Sequence, residues 1–138
     1  MIKIKWLYPH ASKAHKRKNK LHTLSKREAL KIERWIEDKR WLQDSSLQQA
    51  ADDAGVSKKQ MSSYFRIVFG KSFPQWRTEA RIGEAKYLLL KDKDTPAAII
   101  GEAVGISDKS NFRCLFRKVT GMTPLQWRLK HKPHVRLH

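Results

Sequence analysis

Apolar residues recur at three- and four-residue intervals over most of the chain beyond Ser25, which is the spacing of one buried face of an α-helix. The first such stripe contains Ile32, Trp35 and Ile36. It follows Ser25 and Glu28, whose spacing is typical of a capping box at a helix start. No segment alternates apolar and polar residues long enough to predict a strand. The pattern therefore predicts an all-α fold with about seven helices.

Small polar residues and glycines indicate where the later helices begin and end. Ser46 and Gln49 form a second capping-box sequence, and Ser57 and Ser107 are each predicted to cap a further helix. A longer helix is expected from Ser72, because proline at 74 suits a first helical turn. The helical segments predicted after the first are 46–55, 57–70, 72–91, 95–105, 108–120 and 123–130.

The second half of the chain repeats the first. Gly55-Val56-Ser57 returns as Gly105-Ile106-Ser107, 50 positions later, and Gln75-Trp76-Arg77 returns as Gln126-Trp127-Arg128, 51 positions later. Such self-similarity indicates an internal duplication with one residue inserted early in the second copy.

Each copy has the small residues that a helix-turn-helix requires. Two helices that cross closely need a small side chain at the crossing and a turn residue that tolerates positive φ. Ala51 and Gly55 meet these demands in the first copy, and Gly101 and Gly105 meet them in the second. The sequence therefore predicts two helix-turn-helix units.

The charge of the chain indicates its class of partner. Thirty Lys and Arg against 13 Asp and Glu give a formal charge of +17. None of the acids lies within residues 54–78 or after residue 108. Such an excess favours a polyanion, with nucleic acid first and an anionic membrane surface second.

Several function classes find no support in the sequence. Cys114 is the one cysteine, and Pro133 separates His131 from His134 and His138, so neither a disulfide nor a metal site is predicted. We also expect no cofactor and no enzyme activity, since no carboxylate pair, activated nucleophile or phosphate-binding glycine loop is present. No apolar run approaches the length that spans a bilayer. A reducing, bacterial-type cytoplasm is the expected location.

Both ends of the chain are strongly basic. Residues 1–24 are predicted to be a disordered basic leader or linker, and residues 132–138 a basic tail. Two interpretations of the leader stay open: a solvated linker, or a basic arm that lies along phosphates.

Residues from about 26 to 130, three quarters of the chain, resemble the DNA-binding domain of the AraC/XylS family of bacterial transcription regulators. The residues that carry the resemblance include Ala51, Gly55-Val56-Ser57, Phe65-Arg66, Gly70, Trp76, Arg81, Val104-Gly105-Ile106-Ser107-Asp108, Phe112, Leu115-Phe116-Arg117-Lys118, Gly121, Thr123-Pro124 and Trp127-Arg128.

The resemblance implies two homeodomain-like lobes, at 25–71 and 95–131, joined by a linker helix at 72–91. Each lobe would place one recognition helix in the major groove of double-stranded DNA. A 20-residue linker helix would span about 30 Å, close to the pitch of about 34 Å between successive groove faces. RNA polymerase is an expected second partner, and a sensing or dimerisation domain is expected on a longer protein or another chain. The location implied is the bacterial nucleoid.

The resemblance also implies which side chains contact DNA. The expected base-contacting residues are Lys59, Ser62, Ser63, Lys109, Ser110, Arg113 and Cys114. The expected phosphate-contacting residues are Lys58, Arg66, Arg117 and Lys118.

Other residues of the motif have expected structural roles. Trp76 and Trp127 are expected in the core, Arg81 in an internal polar contact, and Cys114, as an alternative to base contact, in a partly buried position. Family members often have arginine where Ser63 and Cys114 stand here. They usually have alanine at the position of Gly101, so this glycine is expected to cost about 1 kcal/mol of helix propensity. The alternative function is non-specific binding of nucleic acid or an anionic surface through the basic tails.

Overall fold

The computed structural model describes residues 24–131. The predicted tail and, apart from Leu24, the predicted leader lie outside these residues. The described part is helical and contains no strand, which confirms the predicted all-α fold. Its elements are α1 (Lys26–Glu37), a 3-10 turn (Arg40–Leu42), α2 (Leu47–Ala54), α3 (Lys58–Phe69), α4 (Phe73–Lys91), α5 (Ala97–Ala103), α6 (Lys109–Thr120) and α7 (Pro124–Lys130).

Side-chain caps fix the start of four of these helices. The hydroxyl groups of Ser25, Ser46, Ser57 and Thr123 each accept the backbone N–H three residues later, at 3.1 to 3.2 Å. In each case the Glu or Gln at that third position returns a hydrogen bond to the backbone of the capping residue. The capping boxes predicted at Ser25 and Ser46 are thereby confirmed.

The start of α6 differs from the prediction. Asp108, rather than Ser107, is the cap, because its carboxylate accepts the Asn111 N–H at 2.7 Å. A carboxylate at this position also interacts favourably with the positive end of the helix dipole. The prediction that Ser107 caps this helix is therefore wrong by one residue.

The displaced cap locates the inserted residue. The turns are closed by equivalent bonds, Val56 N–H to Ala51 O at 3.0 Å and Ile106 N–H to Gly101 O at 2.8 Å. These two bonds are 50 positions apart, whereas α3 and α6 begin 51 positions apart. The insertion therefore lies between Ile106 and the first residue of α6.

The chain divides into two compact units on either side of Thr78–Glu79, a point within α4. The first unit has an aromatic core centred on Phe65. Its ring centroid lies 4.7 Å from that of Trp76 and 5.1 Å from that of Phe73. Trp41 meets Trp76 edge-on at 5.8 Å. All of these rings are 2% exposed or less, so the predicted core position of Trp76 is confirmed.

The second unit has a smaller aromatic core, in which the Phe112 and Phe116 rings of α6 lie 5.9 Å apart and Ile100 and Val104 are also buried. Gly101 lies against this cluster. A Cβ atom at this position would stand 2.8 Å from the Phe112 Cγ and 3.0 Å from the Ile106 carbonyl oxygen. The prediction that the crossing needs a small residue at Gly101 is therefore confirmed. The close approach of α5 to the Phe112 ring requires a residue without a side chain, in addition to any cost in helix propensity.

Candidate nucleic-acid interface

One side of α3 faces solvent and carries the predicted contact residues of the first unit. Met61, Tyr64, Phe65 and Val68 turn to the core, since they recur at helical spacing. The opposite side, with Leu47 of α2, lines a shallow surface depression. Its α3 residues are Lys58, Lys59, Ser62, Ser63 and Arg66, the five positions predicted in this unit. The lysines and the arginine are exposed, whereas both serines are half-buried.

The predicted contact residues of the second unit likewise share the solvent side of α6. Phe112 and Phe116 are 2% exposed or less and fix which side of the helix is buried. The exposed side carries Lys109, Ser110, Arg113, Cys114, Arg117 and Lys118. Cys114 is exposed, so its alternative interpretation as a partly buried filler is wrong.

The two helices present their side chains in the same register. Both have 12 residues and begin one residue after a side-chain cap, so positions 51 apart are equivalent. Lys58 corresponds to Lys109, and Arg66 corresponds to Arg117. Neither helix contains an acidic residue. The nearest acid to α6, Asp108, is occupied by its capping bond. Each unit therefore exposes a positive face without a compensating carboxylate on the same helix.

Helix α1 holds α3 from the side opposite this face. The Gln60 Nε2 donates to the Glu28 carboxylate at 2.6 Å, and the Tyr64 hydroxyl donates to Glu33 at 3.4 Å. Hydrogen bonds from the backbone and hydroxyl of Ser25 lower the pKa of Glu28. Burial, with the nearby Glu33 charge, raises the pKa of Tyr64 well above its ordinary value. Both groups therefore keep one protonation state near neutral pH.

A polar cluster that the sequence did not indicate attaches α2 within the first unit. Asp53 accepts two hydrogen bonds from the Arg40 guanidinium, at 2.9 and 2.5 Å, and one from the Trp35 indole at 3.0 Å. The Arg40 hydrogen bonds lower the pKa of Asp53. Trp35 and Arg40 lie 18 and 13 positions from Asp53, so no local pattern could reveal the cluster.

The arginines of the repeated Gln-Trp-Arg sequence make a second kind of contact that the sequence did not predict, with main-chain carbonyl groups. Arg77 donates to the Ser45 carbonyl, just before α2. Arg128 donates to the Leu89 and Asp92 carbonyls, at 2.9 and 3.0 Å, beside the end of α4. Both arginines therefore bind main-chain oxygens within their own units. The sequence signal for this contact is the recurrence of arginine directly after tryptophan in both Gln-Trp-Arg triplets.

The remaining motif residues divide between core and edge. Arg81 is 8% exposed, in agreement with an internal role rather than a surface contact. Trp127 is half-buried, unlike Trp76. Its ring lies 6.1 Å from that of Phe116 and stacks on His131 at 3.7 Å. The prediction that Trp127 is a core residue is therefore confirmed only in part.

Helix α1 carries a further basic face that the sequence analysis did not single out. Its outer side has Lys26, Arg27, Lys31 and Arg34 around the half-exposed Leu30. The Lys31 ammonium donates to the carbonyl of Gly55 in the helix-turn-helix turn, at 3.4 Å.

Residues 24–131 contain neither a metal-binding cluster nor a membrane-spanning helix. No three His, Cys, Asp or Glu side chains gather there in a metal-binding arrangement. None of the described helices is both long and apolar enough to cross a bilayer.

Comparisons with known proteins agree with this arrangement. The family described as "Helix-turn-helix domain" matches residues 50–130. The arabinose operon regulatory protein of Escherichia coli K12 is 38% identical over 73 residues, which are 53% of this chain and 25% of that protein. The transcriptional activator RhaR of the same organism is 32% identical over 83 residues, 60% of this chain and 29% of that protein. The chain thus spans between a quarter and a third of these relatives.

Two solved structures are similar in fold. The C-terminal domain of the response regulator AraT from Geobacillus stearothermophilus superposes with a TM-score of 0.68 at 26% identity, covering 78% of this chain and 93% of that one. The C-terminal domain of the response regulator yesN from Fusobacterium nucleatum gives a TM-score of 0.62 at 27% identity, covering 75% and 99%. With the duplicated helix-turn-helix and the family match over more than half of its length, the chain belongs to the AraC/XylS family of helix-turn-helix proteins.

Proposed function

We propose that this chain binds double-stranded DNA sequence-specifically, with α3 and α6 each entering a major groove, and that it regulates bacterial transcription in this way. The observation that carries the proposal is the pair of exposed, acid-free helix faces in one register. A helix held by a helix-turn-helix fits the major groove, and cations around its base-reading side chains bind the flanking phosphates.

The contact residues of the two faces divide into a base-contacting and a phosphate-contacting set. Lysine and arginine donate to guanine O6 and N7, and serine serves either a donor or an acceptor. The base-contacting residues are Lys59, Ser62 and Ser63 of α3 and Lys109, Ser110, Arg113 and Cys114 of α6. The phosphate-contacting residues are Lys58, Arg66, Arg117 and Lys118.

The length of α4 supports the reading of two groove segments by one chain. It has 19 residues, which span about 28 Å at the rise of an α-helix. Successive major-groove faces on one side of a duplex are about 34 Å apart. The two lengths are similar, which supports the proposal that one chain contacts two adjacent turns of DNA.

The relatives support the regulatory part of the proposal, since they are named as an operon regulatory protein and a transcriptional activator. By extension, RNA polymerase is a second partner, and a sensing or dimerisation domain acts with this one, on a longer protein or on another chain. The proposed location is the bacterial cytoplasm, at the nucleoid.

A competition experiment at several salt concentrations tests the proposal. The full chain is bound to a duplex selected from a random pool and to a scrambled duplex of the same composition. Affinity for both should fall steeply with salt, because each phosphate contact releases counterions, and the selected duplex should stay preferred by about 1000-fold or more. Equal affinity for the two duplexes at every salt concentration would remove sequence specificity from the account.

A second variant separates this function from binding by the basic leader. Changing Lys16, Arg17, Lys18 and Lys20 to Gln removes four charges at the centre of the leader. If α3 and α6 carry recognition, both duplexes lose affinity by a similar, modest factor and the preference remains. Loss of nearly all binding would favour the non-specific alternative.

A further inference from the structure

The position of the caps makes a residue-by-residue comparison of the two recognition faces possible. The repeat in the sequence allows offsets of both 50 and 51, and these would pair Arg113 with different residues of α3. Because Ser57 caps α3 and Asp108 caps α6, the offset within these helices is 51. Arg113 therefore corresponds to Ser62, and Ser110 corresponds to Lys59.

The outer cations at 58 and 66 of α3 recur at 109 and 117 of α6, whereas Lys118 corresponds to Ile67 and the inner positions differ. Lysine starts both helices, and arginine stands two turns later in both, at 66 and 117. Between these cations α3 has its long basic side chain in the first turn, at Lys59. In α6 the corresponding long basic side chain is Arg113, three residues after the position equivalent to Lys59, which is about 4.5 Å further along the helix axis.

The two inner cations also differ in what they recognise. The planar guanidinium of Arg113 matches guanine O6 and N7 with two parallel hydrogen bonds, whereas the ammonium of Lys59 is a flexible point charge. At the position of Arg113, α3 has Ser62, whose short hydroxyl serves any of several bases and is half-buried. Arg113 is exposed at the middle of its face.

We infer that the two halves of the DNA site are unequal although the protein is duplicated. The half bound by α6 contains a guanine that Arg113 strictly requires, and the half bound by α3 is tolerant and contributes mainly affinity. The site is consequently not a direct repeat of one short sequence. This inference rests on the proposed function, and it assigns to Arg113 the largest share of base discrimination.

The experiment is a selection of bound duplexes from a random pool, performed with the full chain and three variants. The wild type should yield one half-site with a nearly invariant G·C pair and a second half-site with weaker preferences. Arg113→Ala should reduce discrimination at that pair by about 10-fold or more, and Lys59→Ala should reduce it at any pair by less than about threefold. Unchanged urea midpoints show that the variants are folded, as expected for exposed positions.

An exchange variant, Ser62→Arg with Arg113→Ser, makes the test directional. The net charge of the protein is unchanged, and the strictly required guanine should move into the α3 half-site. If it stays at its original position, or if Arg113→Ala leaves the selected sequence unchanged, the inference is overturned. Two identical half-sites for the wild type would also overturn it, while leaving sequence-specific binding intact. A wild type that selects no sequence at all would instead remove the proposed function and the inference with it.

Discussion

At the crossing of its two helices the first unit has Ala51 and Met61, whereas the second unit has Gly101 and Phe112 at the equivalent positions. Ala51, Met61 and Phe112 are 2% exposed or less, and Gly101 is also buried. The second unit thus has one methyl group fewer on α5, at Gly101, and a larger side chain on α6, at Phe112. Cores tolerate such exchanges when the total volume is kept, so the two copies retain one geometry with different residues.

The polar contacts differ more than the apolar ones. Asp53 fastens α2 to Arg40 and Trp35 in the first unit, and the equivalent position in α5 is the exposed Ala103. Both units keep an arginine that binds main-chain oxygens, Arg77 in the first and Arg128 in the second. The arginine contacts with main-chain oxygens are thus common to both units, whereas the Asp53 cluster belongs to the first unit.

The largest expected difference between the units concerns their repeated tryptophans. Trp76→Ala should lower the free energy of unfolding by about 4 kcal/mol, since the ring is fully buried among aromatic neighbours. Trp127→Ala should cost about 1 to 2 kcal/mol, because part of that ring faces solvent. Urea unfolding followed by circular dichroism measures both. Equal losses would contradict the unequal burial of the two rings.

The next largest effect tests the crossing. Gly101→Ala should destabilise the protein by about 2 kcal/mol, since the new methyl group would overlap the Phe112 ring. The double variant Gly101→Ala, Phe112→Met reproduces the pair found in the first unit and should recover most of that loss. A gain of about 1 kcal/mol for Gly101→Ala alone, as helix propensity predicts, would show that the close approach is unimportant.

A smaller effect is expected at the polar cluster. Asp53→Asn should lower the unfolding free energy by about 1 kcal/mol at pH 7, since exposed ion pairs and hydrogen bonds contribute modestly. The control Asp52→Asn changes a neighbouring exposed carboxylate that accepts one side-chain bond, from Gln48. It should cost distinctly less.

The pH dependence of the Asp53 effect has a definite sign. Because the pKa of Asp53 is lowered in the folded protein, its stabilisation is complete above the ordinary value of 3.8 and is lost as the pH falls through the lowered pKa. The difference between wild type and Asp53→Asn should therefore shrink as the pH falls below 3.8. A difference that persists unchanged at pH 2 would mean that the charge of Asp53 is not what stabilises α2.

The smallest expected differences lie at the outer cations of the two faces. Arg66→Ala and Arg117→Ala should each reduce the slope of log affinity against log salt concentration by about 0.9, since each would remove one of the proposed phosphate contacts. Neither should change which duplex is preferred. Lys93→Ala, at an exposed position between α4 and α5, is the matched control and should leave the slope unchanged. A changed preference in either arginine variant would reassign that residue to base contact.

Local signals in the sequence were sufficient for much of this structure. The capping boxes at Ser25 and Ser46 and the apolar period of α3 and α6 depend on residues within one or two turns of each other, so they can be read directly. The same period determines which side chains are left at the surface, and the predicted contact residues of each unit consequently share one face.

Other features depended on choices that the sequence does not resolve. Ser107 and Asp108 are adjacent and both able to cap, and the repeat favoured the wrong one. The cluster around Asp53 joins residues 13 and 18 positions apart, so it exists only once the helices are packed. The sequence predicts a small residue at Gly101, but the need for glycine rather than alanine depends on where the Phe112 ring lies.

Hydroxyl-radical footprinting on the selected duplex distinguishes binding by both α3 and α6 from binding by one helix. If both helices enter the major groove, two segments on one side of the duplex are protected, about 10 to 10.5 base pairs apart. Arg66→Ala should weaken protection in one segment and Arg117→Ala in the other. A single protected segment, or uniform protection along the duplex, would contradict DNA binding through both helices.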